Sequence, residues 1–120
     1  MKKEKLDKQE LLNFFKNIKI EGYWYSKYEQ QYSMPISNIL TKKEAKEIYD
    51  LIIIKEKNAN ELLMAGPSKS RITNEYLGCN EYIAEDYNWR WPGDFASHYV
   101  LEHRVKPTDE FLKFVGYKFK

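Results

Sequence analysis

Apolar side chains recur at helical spacing in four stretches of this 120-residue chain. Over 2–20, Leu11, Leu12, Phe15 and Ile18 form a stripe flanked by Leu6 and Phe14, which predicts an amphipathic helix packed on the core. Asp7 and Glu10 stand where a capping box would open it, and Gly22 breaks the pattern. The strongest signal runs over 41–63. There Thr41 and Glu44 make a second capping box, and Ala45, Ile48, Leu51, Ile52, Ala59, Leu62 and Leu63 continue one face, widened by Ile53 and Ile54. The opposite face interleaves lysine with glutamate, the pattern of a solvated surface. Asn58-Ala59-Asn60 offers an earlier stop.

Alternation replaces helical spacing further along. Tyr76, Gly78, Asn80 and Tyr82 alternate with Leu77, Cys79, Glu81 and Ile83, which predicts a strand. Glu81 falls on the more apolar side. It needs a partner there, Arg71 or Arg90, unless a register shift at Gly78 turns it to water. A polar turn through Glu85, Asp86 and Asn88 leads to Trp89-Arg90-Trp91, the return strand of a hairpin. Pro92 ends that strand, and Asp94 is placed to cap a helix from Phe95 to about Arg104, with Phe95, Tyr99 and Val100 as its apolar stripe. After Lys106-Pro107, Thr108 caps a last helix that buries Phe111, Leu112, Phe114 and Val115 and ends at Gly116. Upstream, EGYWYSKYEQQYSMPISN carries Tyr23, Trp24, Tyr25, Tyr28 and Tyr32. A short strand there would point Trp24 inward, and the rest folds over the body or lines a binding surface. Together these elements predict a single α+β domain over 1–120. Three to four helices pack on a small antiparallel sheet built from Trp24, 76–83 and 89–91.

Composition narrows the function more than it identifies it. Acids and bases nearly cancel at a net charge of +2, so there is no basic excess of the kind that marks nucleic-acid binding. Aromatic residues make up 16% of the chain, ten of them tyrosine. That suits half-buried surfaces and interfaces, but it also follows from AT-rich codon usage. The single Cys79 excludes a disulfide within the chain and a zinc site that needs several cysteines, and it reads as a small core residue. No apolar run is long enough to span a membrane, and MKKEKLDKQE lacks the apolar centre of a signal peptide. The expectation is a soluble cytoplasmic protein.

Two groups of residues carry candidate chemistry. After the Gly66-Pro67 turn come Ser68, Lys69, Ser70, Arg71 and Thr73, hydroxyls beside a guanidinium that can hold a phosphate or carboxylate through charge-assisted bonds. The glycines of a P-loop are absent, so an ordinary surface loop is the competing reading. His98 and His103 are the chain's two histidines. Their five-residue offset puts them about 140° apart on an ideal α-helix, so they do not face one point unless the helix frays near His103. Half of a zinc finger has that spacing, but the cysteine pair it needs is absent, too few ligands remain, and no metal or other cofactor is expected. A serine hydrolase would draw on Ser68 or Ser70 with His98 and Asp94, but no GxSxG elbow supports it.

The expectation is therefore a non-enzymatic binding protein with Ser68, Ser70, Arg71, Thr73, Trp89, Trp91 and His98 on its binding face. Arg71 would pair with an anionic, nucleotide-like ligand, a tryptophan would stack on its ring and His98 would hydrogen-bond to it. The other target is a protein in phage–bacterium conflict. A small His-dependent hydrolase or nuclease, and a nucleic-acid-binding module, are the alternatives.

Trp91-Pro92, His98-Tyr99-Val100, His103, Val105, Pro107 and Phe111 resemble a pattern, WPxxxxxHYVxxHxVxPxxxF, of small uncharacterised bacterial and phage proteins. The resemblance covers about the last half of the chain. It implies a shared fold, and it brings no known activity. Some members carry a CxRxC-like segment where this chain has Lys69-Ser70-Arg71-Ile72-Thr73. On that match two thiolates are lost, while Arg71 and both histidines are kept.

Overall fold

The computed structural model describes residues 18–24, 32–63 and 68–118. In chain order these hold β1 (Lys19–Ile20), α1 (Lys42–Lys57), β2 (Asn60–Leu63), β3 (Asn80–Ile83), β4 (Trp89–Pro92), a π-helix (Phe95–Glu102) and α2 (Asp109–Val115). The four strands form one sheet in the order β1-β4-β3-β2. This is the expected α+β class, with three helices among the described residues.

The sheet is mixed, where an antiparallel one was expected. β3 runs antiparallel to β4 and β2, setting Tyr82 opposite Trp91 and Asn60 opposite Ile83. β1 runs parallel to β4, with Lys19 opposite Trp89. The Lys19 N–H donates to the Asn88 carbonyl at 3.2 Å and the Glu21 N–H to the Arg90 carbonyl at 3.0 Å. The end of the helix expected over 2–20 is therefore strand at Lys19–Ile20, and the part over 2–17 lies outside the described residues. The same holds for Tyr25, Tyr28 and the Gly66-Pro67 turn. Trp24 is not in a strand, but it does point inward, with its ring 5.3 Å from that of Tyr99 and 6.2 Å from that of Phe95.

Gly22 explains how the chain leaves β1 across the π-helix. Its φ is +79°, and a Cβ there would lie 2.6 Å from the Phe95 ring, so only glycine fits both the backbone and the contact. Between strands, the capping box of α1 forms as its sequence predicts. Thr41 Oγ1 accepts the Glu44 N–H at 3.1 Å, and Glu44 Oε1 accepts the Thr41 N–H at 2.9 Å. The helix ends at Lys57 and is capped by Asn58, the earlier of the two stops the sequence offers. β2 follows at once and pairs with β3, so Leu62 and Leu63 leave the helical stripe and stand 41% and 83% exposed. The alternation expected from Tyr76 narrows to β3, preceded by a lone bridge between Lys69 and Tyr76. Cys79 is exposed, not in the core.

The core joins all these elements. Ala45, Ile48 and Ile52 of α1 meet Trp89 and Trp91 of β4, Phe95, Tyr99 and Val100 of the π-helix, and Phe111, Leu112 and Val115 of α2. Both tryptophans pack edge-on against Phe111, at ring centroid distances of 5.2 and 5.7 Å. Thr108 caps α2 by accepting the Phe111 N–H at 3.3 Å, and Gly116 closes it in the left-handed region. No helix among the described residues is long and apolar enough to cross a membrane.

Candidate functional site

The loop 68–73 docks on the π-helix through its hydroxyls. Ser70 is 2% exposed, and its Oγ lies 2.7 Å from His98 Nε2. The same oxygen accepts the backbone N–H groups of Ile72, at 3.1 Å, and Thr73, at 3.0 Å. Ser68 Oγ donates to the Asp94 carboxylate. The Arg71 N–H donates to the Tyr99 hydroxyl at 3.1 Å, while its guanidinium turns back to the Lys69 carbonyl. Thr73 Oγ1 donates to Glu75 at 2.8 Å. Ser68, Ser70, Arg71, Thr73 and His98 are thus brought to one place, as the sequence suggested.

Trp89 and Trp91 are not part of that place. They are 6% and 0% exposed, so neither offers a ring face for a ligand to stack on. Their β4 positions point to the core because Phe111 and Phe114 of α2 lie against them. Trp91 Nε1 spends its proton on Glu56, at 2.9 Å. Asp94 also departs from its expected role. Its side chain makes no cap bond to the helix, because it is taken by Ser68. Burial raises its pKa, opposed first by the Ser68 hydrogen bond, then by the charge of His98, and last by that of Arg71.

The helix behind the loop is wound more loosely than an α-helix. The His103 N–H bonds the His98 carbonyl at 3.1 Å, an i→i−5 contact. A turn that closes on the fifth residue brings side chains five apart onto one face. The two imidazoles, far apart on an α-helix, therefore lie 4.7 Å apart between ring centroids. Glu102 stands between them, Oε2 3.4 Å from His98 Nδ1 and Oε1 3.9 Å from His103 Nε2. Sequence reasoning missed Glu102, although its position four residues after His98 already makes it a helical neighbour. His103 Nε2 is buried with no hydrogen-bond partner among the described residues. Such an atom costs about 1–3 kcal/mol.

Ser70, His98 and Glu102 stand in the order of a hydrolase triad, but the lone pairs oppose that use. A serine oxygen has two acceptor sites and one proton. The N–H groups of Ile72 and Thr73 donate to this oxygen, and the direction of its bond with His98 Nε2 follows the ring tautomer. Burial and three partners tie the hydroxyl to the fold, which opposes its use as a nucleophile.

Beside His98 lies a polar cleft of about 510 Å³, lined by Glu75, Asn80, Asp94, Ser97, His98 and Glu102 among others. A larger groove of about 610 Å³ opens elsewhere, between Tyr23, Trp24, Met34, Ile39 and Val105. Its buried carboxylate, Glu21, is already bonded to the Thr108 N–H at 2.7 Å and hydroxyl at 2.8 Å. The chemistry therefore gathers at the cleft. No family model matches the chain, and no curated protein or solved structure matches it significantly.

Proposed function

We propose that this chain is a small non-enzymatic binding protein whose site is the cleft between residues 75–80 and the π-helix. The group it accepts there is a cation or a strong hydrogen-bond donor. One observation carries this reading: Glu75, Asp94 and Glu102 line a single cleft together with His98. Three carboxylates gathered along one cleft favour positive charge, because their fields add at the point they share. The anionic ligand expected from the sequence finds less support. The Arg71 guanidinium turns to the Lys69 carbonyl, and the loop hydroxyls are spent on Asp94, His98 and Glu75.

Amide NMR spectra recorded during two titrations test this. Methylguanidinium should shift the resonances of Gly78, Gly93 and Ser97, whereas inorganic phosphate should leave them in place. Phosphate-dependent shifts at those amides, or silence with methylguanidinium, would overturn the reading.

A further inference from the structure

The π-turn assembles a donor set that an α-helix of the same sequence would scatter. We propose that His98, Glu102 and His103 form a binding site for a divalent transition-metal ion of borderline softness, with Zn²⁺ the reference case. His98 Nδ1, a Glu102 oxygen and His103 Nε2 are the donor atoms, and one atom from each residue lies within 4.8 Å of the other two.

Three observations support this. Two imidazoles and one carboxylate are a donor set that zinc accepts, with a position left open for water. Bonds of about 2.1 Å at ordinary coordination angles separate donors by about 3.0–3.4 Å. Glu102 Oε2 already stands 3.4 Å from His98 Nδ1 and Oε1 stands 3.9 Å from His103 Nε2, so a small turn of the carboxylate, on a side chain 62% exposed, sets one oxygen toward both nitrogens. His103 Nε2 is buried, hydrogen-bonded to none of the described residues and next to the Glu102 carboxylate, which a metal bond would remedy. Ser70 then holds the ring of His98 from behind. With the metal on Nδ1 the proton sits on Nε2, 2.7 Å from Ser70 Oγ, an oxygen it then shares with the N–H groups of Ile72 and Thr73.

The site shares His98 and Glu102 with the cleft but rests on the π-turn alone, and His103 lies outside the cleft lining. Failure of one proposal therefore leaves the other standing. The test starts from chelator-stripped full-length chain titrated with ZnCl2 in a calorimeter. It is paired with long-range ¹H–¹⁵N spectra of the histidine rings and with visible spectra of the Co²⁺ form. Expected are one Zn²⁺ per chain, large shifts at His98 Nδ1 and His103 Nε2, and d–d bands with Co²⁺. His103→Ala and Glu102→Gln should each weaken Zn²⁺ binding roughly a hundredfold or more, at or beyond the tenfold-to-hundredfold cost of losing an outer hydrogen-bond partner. Glu110→Gln, at the surface pair with Lys19, should bind as the parent does. Histidine rings of the parent chain that ignore Zn²⁺, or a His103→Ala chain that binds as tightly as the parent, would refute the site. The ring spectra of the parent decide the matter even if a variant fails to fold.

Discussion

Ser70 Oγ and His98 Nε2 meet at 2.7 Å across 28 residues of sequence, in the buried seam between a loop and a π-helix. That bond joins the two parts of the candidate site. Removing it with Ser70→Ala strips an acceptor from two backbone N–H groups as well as a partner from the imidazole. The expected cost is about 1–3 kcal/mol, read from urea unfolding. A fluorophosphonate probe should leave Ser70 of the parent chain unlabelled. Labelling at Ser70 would reinstate the hydrolase reading.

The tryptophans should behave as core residues. Their emission should be blue-shifted, and iodide should quench Trp89 and Trp91 poorly, since both are nearly inaccessible. Trp91→Phe leaves the Glu56 carboxylate buried without its donor, so a loss of about 1–3 kcal/mol is expected. A Trp91→Phe chain as stable as the parent would show that this hydrogen bond is dispensable.

Gly22→Ala places a side chain at φ +79° and within 2.6 Å of Phe95. The expected loss exceeds about 1 kcal/mol, because strain in the folded state outweighs the smaller entropy of the unfolded chain. Thermal denaturation measures it, and an unchanged Tm would mean that β1 does not cross the π-helix as described.

Glu56 gives the stability a pH dependence. Burial pushes its pKa from 4.5 up to about 7, opposed by the Trp91 hydrogen bond and assisted by the charge of Glu61. A carboxyl raised by folding binds its proton more tightly in the native state. Its contribution is therefore fully present below 4.5 and lost as pH rises through about 7. Melting temperatures measured from about pH 5 to about pH 8 should fall, and Glu56→Gln should flatten that slope while keeping an acceptor for Trp91. An identical slope in the variant would assign the effect to other groups, of which Glu21 and Asp94, both raised by burial, are the first to examine.

The amino-acid sequence by itself determined the features whose causes lie within a few residues. The capping box at Thr41, the cap at Thr108, the left-handed stop at Gly116 and the apolar face of α1 all came from local hydrogen bonding and spacing. So did the hairpin of β3 and β4, and Arg90 was one of two partners named for Glu81, from which it stands 3.5 Å away. The tertiary structure alone decided the rest. β1 is two residues long and β2 four, too short to carry a pattern of their own, and they are strands because β4 and β3 offer them hydrogen bonds. Which face Trp89 and Trp91 present was set by the phenylalanines of α2, distant in sequence. Most consequential is the winding from Phe95 to Glu102. Periodicity cannot separate an α-turn from a π-turn over so few residues, yet that one difference moves His103 from the far side of a helix to within reach of His98 and Glu102.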